Sequence, residues 1–261
     1  LQYVRIVKSM MFSDQQQSHN HSLETLNLFN GFIDFKSSIR DVLDLGCGRG
    51  HDLNFWANMD DGAEVPKPLD IKCMGLDIDI NDSVTIKKEN ISYVQHDFNS
   101  EDRLPFSERK FDVIWCHDVL QYAHSPVKLL TAINKQMSVN SMLYLCVPST
   151  VNVVHRKFKN YVFPQQLSTF TMTQLIYLLA LNGFDCKDAY FKKEPFTDLI
   201  EVVTYKMQDP VDYTTSWYEL DELGLLSESM SDIINQIGYL TDNGLVTRWA
   251  DGSVYDYRHH S

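Results

Sequence analysis

Short apolar runs alternate with amphipathic stretches along the middle of the chain. The runs lie at 41–45, 71–78, 91–95, 111–116 and 142–147. They are almost continuously apolar, which is typical of strands buried on both faces of a parallel sheet. Apolar residues at helical spacing fill most of the intervals, and Ser125-Pro126 supplies a helix N-cap followed by proline at the first helical position. The pattern predicts repeated βα units.

The alternation changes after the fifth run. Thr171 and Gln174 have capping-box spacing, and they open an apolar helix that ends near Gly183. Two strand candidates, 184–191 and 199–206, follow with a short connection that makes them antiparallel neighbours. The sequence therefore predicts an α/β fold, a doubly wound and mostly parallel seven-stranded sheet with an antiparallel last strand.

The flanking segments lack this repeat and suggest three divisions of the chain. Residues 1–40 form a polar N-terminal segment and a leading helix, and residues 41–207 form the main domain with a lid at about 149–170. Residues 208–261 form an accessory segment, with a helix expected over 230–240 and a hairpin around Asp251-Gly252.

Charge and cysteine content narrow the classes of partner. The chain has 35 acidic and 23 basic residues, a formal net charge of -12, which disfavours nucleic acids and anionic lipid surfaces. Its five cysteines are odd in number and contain no C-x-x-C pair, so neither a disulfide framework nor a metal site is expected.

Without a signal peptide or a long apolar run, a cytoplasmic protein without membrane contact is expected.

A glycine turn follows the first predicted strand and opens the first helix. Such a turn lets a ligand approach the main chain, while the helix presents free N–H groups. The dinucleotide pattern G-x-G-x-x-G would need glycine where the chain has His51, and instead the order is D-x-G-x-G-x-G from Asp44 to Gly50. A nicotinamide-dependent oxidoreductase is thereby disfavoured but stays an alternative. Phosphate-loop and serine-elbow motifs do not occur.

The segment VLDLGCGRG at 42–50 resembles the first motif of class I S-adenosylmethionine-dependent methyltransferases. Further segments follow in the family's order: GLDID at the second strand, HDF after the third and FDVIWCHDVLQYAHSP at the fourth. The resemblance covers about residues 40 to 205. It is greatest to the small-molecule branch around the ubiquinone-biosynthesis-type (methyltransferase type 11) enzymes, and it implies the Rossmann-like methyltransferase fold with S-adenosylmethionine as cofactor and S-adenosylhomocysteine as product.

The resemblance also implies which residues contact the cofactor. Asp77, at the end of the second strand, is expected to accept hydrogen bonds from the ribose hydroxyls, a role that a carboxylate at this edge can fill. The positions around the methionine part, the adenine and the methyl group are Asp44, Gly46, Cys47, Gly48, Gly50, Ile78, Asp97, Phe98, Cys116 and His117.

Three side chains near the fourth strand are candidates for a general base. His117, Tyr122 and His124 could each remove a proton from an acceptor or only line the pocket. Members of the family often have Glu-His where this chain has Gln121-Tyr122, so a histidine base at that position is not implied. Asp118 is expected to serve a turn or a cap rather than a metal.

The expected activity is transfer of the cofactor's methyl group to an O, N or C atom of a small molecule. Positioning and desolvation can supply most of the catalysis, because a sulfonium already carries a good leaving group. Amino methyltransferases of nucleic-acid bases carry a D/N-P-P-Y/F motif, which this chain lacks after its fourth strand. A homodimer is compatible with the tail's aromatic residues. A second hypothesis, from a different functional class, is a non-catalytic cofactor-binding module that acts through a protein partner.

Overall fold

The computed structural model describes residues 38–60, 67–80, 86–100, 103–106, 108–148, 166–193 and 199–226, together with the backbone of two short strands at 246–248 and 254–256. The strands of the main sheet are β1 (Asp41–Leu45), β2 (Lys72–Asp77), β3 (Ile91–Gln95), β4 (Phe111–His117), β5 (Met137–Pro148), β6 (Tyr190–Lys193) and β7 (Leu199–Tyr205). The helices are α1 (His51–Ala57), α2 (Pro126–Lys135), α3 (Met172–Leu181) and α4 (Trp217–Glu222), with a 3-10 turn at Leu120–Tyr122.

The seven strands lie in the order β3-β2-β1-β4-β5-β7-β6. β1 pairs in parallel with β2 and β4, and the parallel pairing continues to β3 on one side and β5 on the other. β7 is antiparallel to both β5 and β6. The predicted α/β class, the seven strands and the antiparallel last strand are confirmed. The strand order reverses between β1 and β4, which is where open α/β sheets bind ligands.

Both faces of the sheet are covered, which explains the continuous apolar runs. Within β1, Leu43 and Leu45 face the core shared with α2, α3 and α4, while Val42 faces the core shared with α1. On the α1 face the Tyr144 ring stacks on Trp115 with 3.6 Å between centroids. Since the four residues from Val42 to Leu45 are buried on one side or the other, the alternating pattern of a half-exposed strand is absent from them.

Two predicted helix starts are confirmed by their caps. The Ser125 hydroxyl accepts a hydrogen bond from the Lys128 amide at the start of α2, where proline occupies the first helical position. Thr171 and Gln174 form the reciprocal capping box at the start of α3. Both caps satisfy amide groups that the first helical turn leaves without a partner.

The starts of β5 and β6 differ from the predicted ones by five residues or more, and the other strand bounds differ by at most two. β5 begins at Met137 rather than 142, because Met137 already pairs with Phe111 before the register shifts. β6 begins at Tyr190 rather than 184, since Phe184 makes only an isolated bridge with Lys206. The Asp185 carboxylate accepts two main-chain N–H groups, those of residues 187 and 188, and this turn interrupts the strand.

The chain after β7 packs against the same core. The buried Asn134 amide donates to the carbonyls of Asn182, at 2.7 Å, and Gln208, at 2.9 Å. Leu220 and Leu225 are buried beside α2 and α3. β8 (Val246–Arg248) and β9 (Val254–Asp256) pair antiparallel, in agreement with the predicted hairpin. The leading helix, the expected helix at 230–240 and the lid up to residue 165 lie outside the described residues.

The five cysteines are all buried free thiols. Among the residues with described structure, no helix combines the length and the apolar character that crossing a membrane requires.

Candidate functional site

The glycine turn after β1 is held against β2 by main-chain hydrogen bonds. The amides of Gly46 and Cys47 donate to the Leu76 carbonyl at 2.7 and 3.2 Å. Gly46, Gly48 and Gly50 all have positive φ, at 71, 49 and 82°. The turn therefore lies at the carboxyl edge of the two central strands, directly before α1.

The three glycines have different surroundings. A Cβ atom at Gly46 would lie 2.4 Å from Cγ2 of Val119, and one at Gly50 would lie 2.2 Å from Oη of Tyr93. A Cβ atom at Gly48 would meet no atom within 4 Å. Gly46 and Gly50 are thus required by packing, whereas Gly48 exposes its main chain to open space in which a ligand could lie.

Asp77 ends β2 beside this turn. Its Oδ2 accepts a hydrogen bond from the Gly48 amide at 2.9 Å, and its Oδ1 accepts one from the Asp79 amide at 3.1 Å. Each carboxylate oxygen has a further lone pair, so Asp77 can accept additional hydrogen bonds. Ile78 is 62% exposed next to it, and so offers an apolar surface at the same edge.

The end of β3 lies next to the end of β2. The His96 amide donates to the Asp77 carbonyl at 2.9 Å, which joins the two ends. Asp97 is half-buried, and its Oδ1 accepts from the Asn99 amide at 2.9 Å. Phe98 packs its ring against the core. The structure thus brings Asp77, Ile78, Asp97 and Phe98 to neighbouring positions at one edge of the sheet.

Cys116 and His117 end β4 in different surroundings. The Cys116 side chain is buried in the core on the α2 and α3 face, and burial raises the pKa of its thiol. His117 is 8% exposed, and its ring stacks at 6.0 Å on Tyr144. The thiol therefore stays protonated at neutral pH, and His117 is the polar side chain of this pair.

Tyr122 and His124 are joined to the end of β3 through Asn99. The Asn99 side-chain amide donates to the Tyr122 carbonyl at 3.0 Å, and its oxygen accepts from the His124 amide at 2.7 Å. The His124 side chain is exposed and lines a cavity of about 240 Å³ with Phe98, Asn99, Arg103, Leu104, Ala123, Ser125, Lys128, Leu129 and Ala132. The His124 side chain is therefore exposed at a cavity, whereas that of His117 is buried.

Burial dominates the electrostatics of the glycine turn. The Asp44 side chain is almost fully buried, and burial raises its pKa well above the usual carboxyl value, with the charges of Asp52 and Asp77 adding to the effect. Burial likewise raises the pKa of the Cys47 thiol, and that of Tyr93 to about 12. The charged carboxylates that act on Asp44 are those of Asp52 and Asp77, and their negative potential favours a cationic ligand group close to the turn.

Sequence reasoning missed four residues that shape the site. Val119 and Tyr93 pack against the glycine turn, and Asn99 joins the ends of β3 and β4. The main-chain carbonyl of Gln121 accepts from the amides of residues 167 and 168. These contacts depend on tertiary neighbours, and no local spacing indicates them.

A family model described as a methyltransferase domain matches residues 17–188. The chain therefore belongs to this methyltransferase-domain family. Its Rossmann-like sheet is that of class I methyltransferases, and its cofactor is S-adenosylmethionine. A comparison with curated proteins gives no match.

Solved structures with the same fold include a protein described as an S-adenosylmethionine-dependent methyltransferase from Listeria monocytogenes. It is 15% identical with a TM-score of 0.51, and the match covers 74% of this chain and 100% of that one. A Haloferax volcanii methyltransferase in complex with the Trm112 activator is 16% identical, with a TM-score of 0.50 and coverage of 65% and 83%. The 1,6-didemethyltoxoflavin-N1-methyltransferase of Burkholderia thailandensis, solved with S-adenosylhomocysteine, is 15% identical, with a TM-score of 0.47 and coverage of 75% and 90%.

The residues at the sheet edge fit this cofactor. The open position at Gly48 leaves room against the main chain, Asp77 retains acceptor capacity for hydroxyl groups, and Ile78 is exposed beside it. An edge with these three features suits a ligand that combines a charged amino-acid part, a ribose and an aromatic base.

Proposed function

We propose that this protein transfers the methyl group of S-adenosylmethionine to an O, N or C atom of a small-molecule acceptor. The observation that carries the proposal is the open Gly48 main chain hydrogen-bonded to Asp77 at the carboxyl edge of the sheet. We assign the catalytic domain to residues 41–207.

The residues that would hold the cofactor follow one another along the edge in the order of the strands. The glycine turn, with Asp44, Gly46, Cys47, Gly48 and Gly50, would hold the methionine part. Asp77 would accept hydrogen bonds from the ribose hydroxyls. Ile78, Asp97 and Phe98 would contact the adenine, and Cys116 and His117 would lie nearest the methyl group. The neighbouring positions of these strand ends support this arrangement.

The catalytic contribution of the chain is mainly positional. When bound, S-adenosylmethionine supplies a methyl group on a sulfonium with a good leaving group. The glycine turn and Asp77 are both anchored to strands of the sheet, so they would fix the position of the methyl donor relative to the acceptor. Buried side chains beneath the edge, such as Val119, exclude water from the floor of the site.

His117 is the best placed of the three candidate bases. It ends β4, the strand beside the glycine turn, and it is held between the Tyr144 ring and Asp118, whose Oδ2 lies 3.7 Å from Nδ1. An imidazole that is fixed by its neighbours can accept a proton at a defined position, whereas an exposed imidazole can change its orientation. Tyr122 and His124 are bound to Asn99 through their main chains, and the exposed His124 side chain is less constrained than that of His117.

Release of S-adenosylhomocysteine tests the proposed activity. The full chain would be incubated with S-adenosylmethionine and a cell extract divided by a filter of about 1 kDa, and the product measured by mass spectrometry. Product formed with the filtrate, and lost in the Asp77→Ala variant, would support a small-molecule acceptor. Product formed only with the retained fraction would contradict the acceptor class, and none with either fraction would favour the non-catalytic module.

A further inference from the structure

The loop that follows β4, residues 118–125, is bound from two sides. The Gln121 carbonyl accepts from the amides of Leu167 and Ser168 at 2.8 and 3.1 Å, and the Asn99 side chain bonds the main chain one and three residues later, at Tyr122 and His124. The loop thus joins the end of β3 to the segment that precedes α3. Its first residue, Asp118, lies next to His117 at the site.

Asp118 has a backbone conformation that non-glycine residues rarely adopt. Its φ is 56°, in the left-handed region, and its amide donates to the Cys146 carbonyl on β5 at 3.1 Å. Such a conformation persists only where surrounding contacts impose it, and it is concentrated at functional positions. Here it directs the carboxylate toward His117, with Oδ2 3.7 Å from Nδ1.

Gln121 holds the other oxygen of this carboxylate. Its Nε2 donates to Oδ1 of Asp118 at 3.3 Å, although the side chain is only 1% exposed. A carboxylate can only accept, so the amide must present its nitrogen, and the orientation of the side chain follows. Its Oε1 is buried and accepts no hydrogen bond from the part of the chain with described structure. Burying an amide oxygen without a hydrogen bond costs free energy that an apolar side chain at this position would not cost. The contact to Asp118 therefore accounts for the presence of an amide here.

We propose that Gln121 is a positioning residue that holds Asp118 so that His117 keeps its neutral-state proton on Nδ1. A neutral imidazole has one donor and one acceptor nitrogen, and a nearby carboxylate favours the N–H on the side that faces it. Nε2, which is buried, then carries the lone pair to which the proposed base function would bring a proton. In this respect the inference rests on the proposed function. A glutamate at 121 would set a second negative charge against Asp118, whereas glutamine supplies a donor.

Nitrogen NMR of the histidine rings tests this assignment without any acceptor. The full chain would be labelled with 15N-histidine, and long-range proton–nitrogen spectra recorded near pH 9, well above the pKa of the histidine side chain in model peptides. The His117 signals are those missing from the His117→Asn spectrum. The wild-type protein is expected to hold His117 mainly as the Nδ1–H form, and Gln121→Leu is expected to shift it mainly to the Nε2–H form.

Gln136→Leu is the matched control. Gln136 is also buried, also has an Oε1 that accepts no hydrogen bond among the described residues, and bonds the opposite end of β4 through its carbonyl. Its replacement is expected to leave the His117 signals unchanged. If Gln121→Leu does not fold, Gln121→Glu keeps the side-chain size and should give the same shift by repelling Asp118.

An Nε2–H form in the wild-type protein, or an unchanged His117 in a folded Gln121→Leu protein, would overturn the inference. Calorimetry with S-adenosylhomocysteine on the same samples tests the proposed function separately. Binding without the expected tautomer would contradict only the role of Gln121, and the expected tautomer without binding would contradict only the proposed function.

Discussion

The amide of Gly48 donates a hydrogen bond to Oδ2 of Asp77 at 2.9 Å. This contact joins the turn after β1 to the end of β2, next to the paired residues Leu45 and Leu76. Asp77 also accepts from the Asp79 amide, so one carboxylate fixes two pieces of main chain and retains lone pairs toward the sheet edge. The residue that shapes the turn is therefore also the one that we propose accepts hydrogen bonds from the ribose hydroxyls.

Replacement of Asp77 by alanine should weaken S-adenosylhomocysteine binding. Loss of hydrogen bonds to a charged acceptor costs about 1.5 to 3 kcal/mol, which is roughly a 10- to 150-fold rise in the dissociation constant. Isothermal titration calorimetry measures this. Asp112→Ala is the matched control, because Asp112 also accepts two main-chain N–H groups but does so from residues 40 and 41, at the opposite edge of the sheet. Equal affinities of the two variants would exclude the proposed role of Asp77.

Alanine at Gly48 and at Gly50 should separate binding from folding. At Gly50 the new Cβ would overlap Tyr93, so the free energy of unfolding should fall by about 2 to 4 kcal/mol. At Gly48 the Cβ meets no atom, so only the strain of positive φ, about 1 to 2 kcal/mol, should remain. Urea unfolding gives both values.

Ligand binding should be affected in the opposite order, with Gly48→Ala losing more affinity for S-adenosylhomocysteine than Gly50→Ala. Gly48→Ala places a methyl group in the space assigned to the methionine part, so we expect at least about a tenfold loss of S-adenosylhomocysteine affinity, or 1.4 kcal/mol. A Gly48→Ala protein that binds as tightly as the wild type would show that the ligand lies elsewhere.

Asp44 should make the ligand-free protein less stable as the pH rises. Its pKa is raised by burial in the folded state, so above the unfolded value of about 3.9 the folded chain holds a proton that the unfolded chain has lost. The free energy of unfolding contributed by this group therefore falls as the pH increases from about 4 toward the raised pKa.

Asp44→Asn tests this directly, because asparagine imitates the protonated acid and does not titrate. The variant should resemble the wild type near pH 4 and exceed it in stability near pH 8, as measured by urea unfolding at both values. Parallel stability curves for the two proteins would contradict a raised pKa at Asp44.

The fold was largely predictable because its signals are local. β1 has the predicted bounds, since its apolar run ends in a glycine turn, and the caps at Ser125 and Thr171 satisfy neighbouring amides. The start of β6 was not predictable from hydrophobicity, because it is decided by the turn of Asp185.

The same distinction holds for the site. Its glycines and carboxylates follow strand ends and could be expected from the motif order. Tyr93, Asn99 and Gln121 could not, because their partners lie far along the chain: Asn99 contacts Tyr122, and Gln121 contacts residues 167 and 168. Spacing within one element carries no information on such contacts.

Thermal unfolding of the full chain with S-adenosylmethionine, S-adenosylhomocysteine or NAD shows which cofactor the folded protein binds. A ligand at 100 times its dissociation constant adds about 2.7 kcal/mol, which raises the midpoint of a chain of this size by about 5 to 10 °C. We expect this rise with the two adenosyl compounds and none with NAD. No rise with the adenosyl compounds, or a rise with NAD alone, would contradict the cofactor site at Gly48 and Asp77.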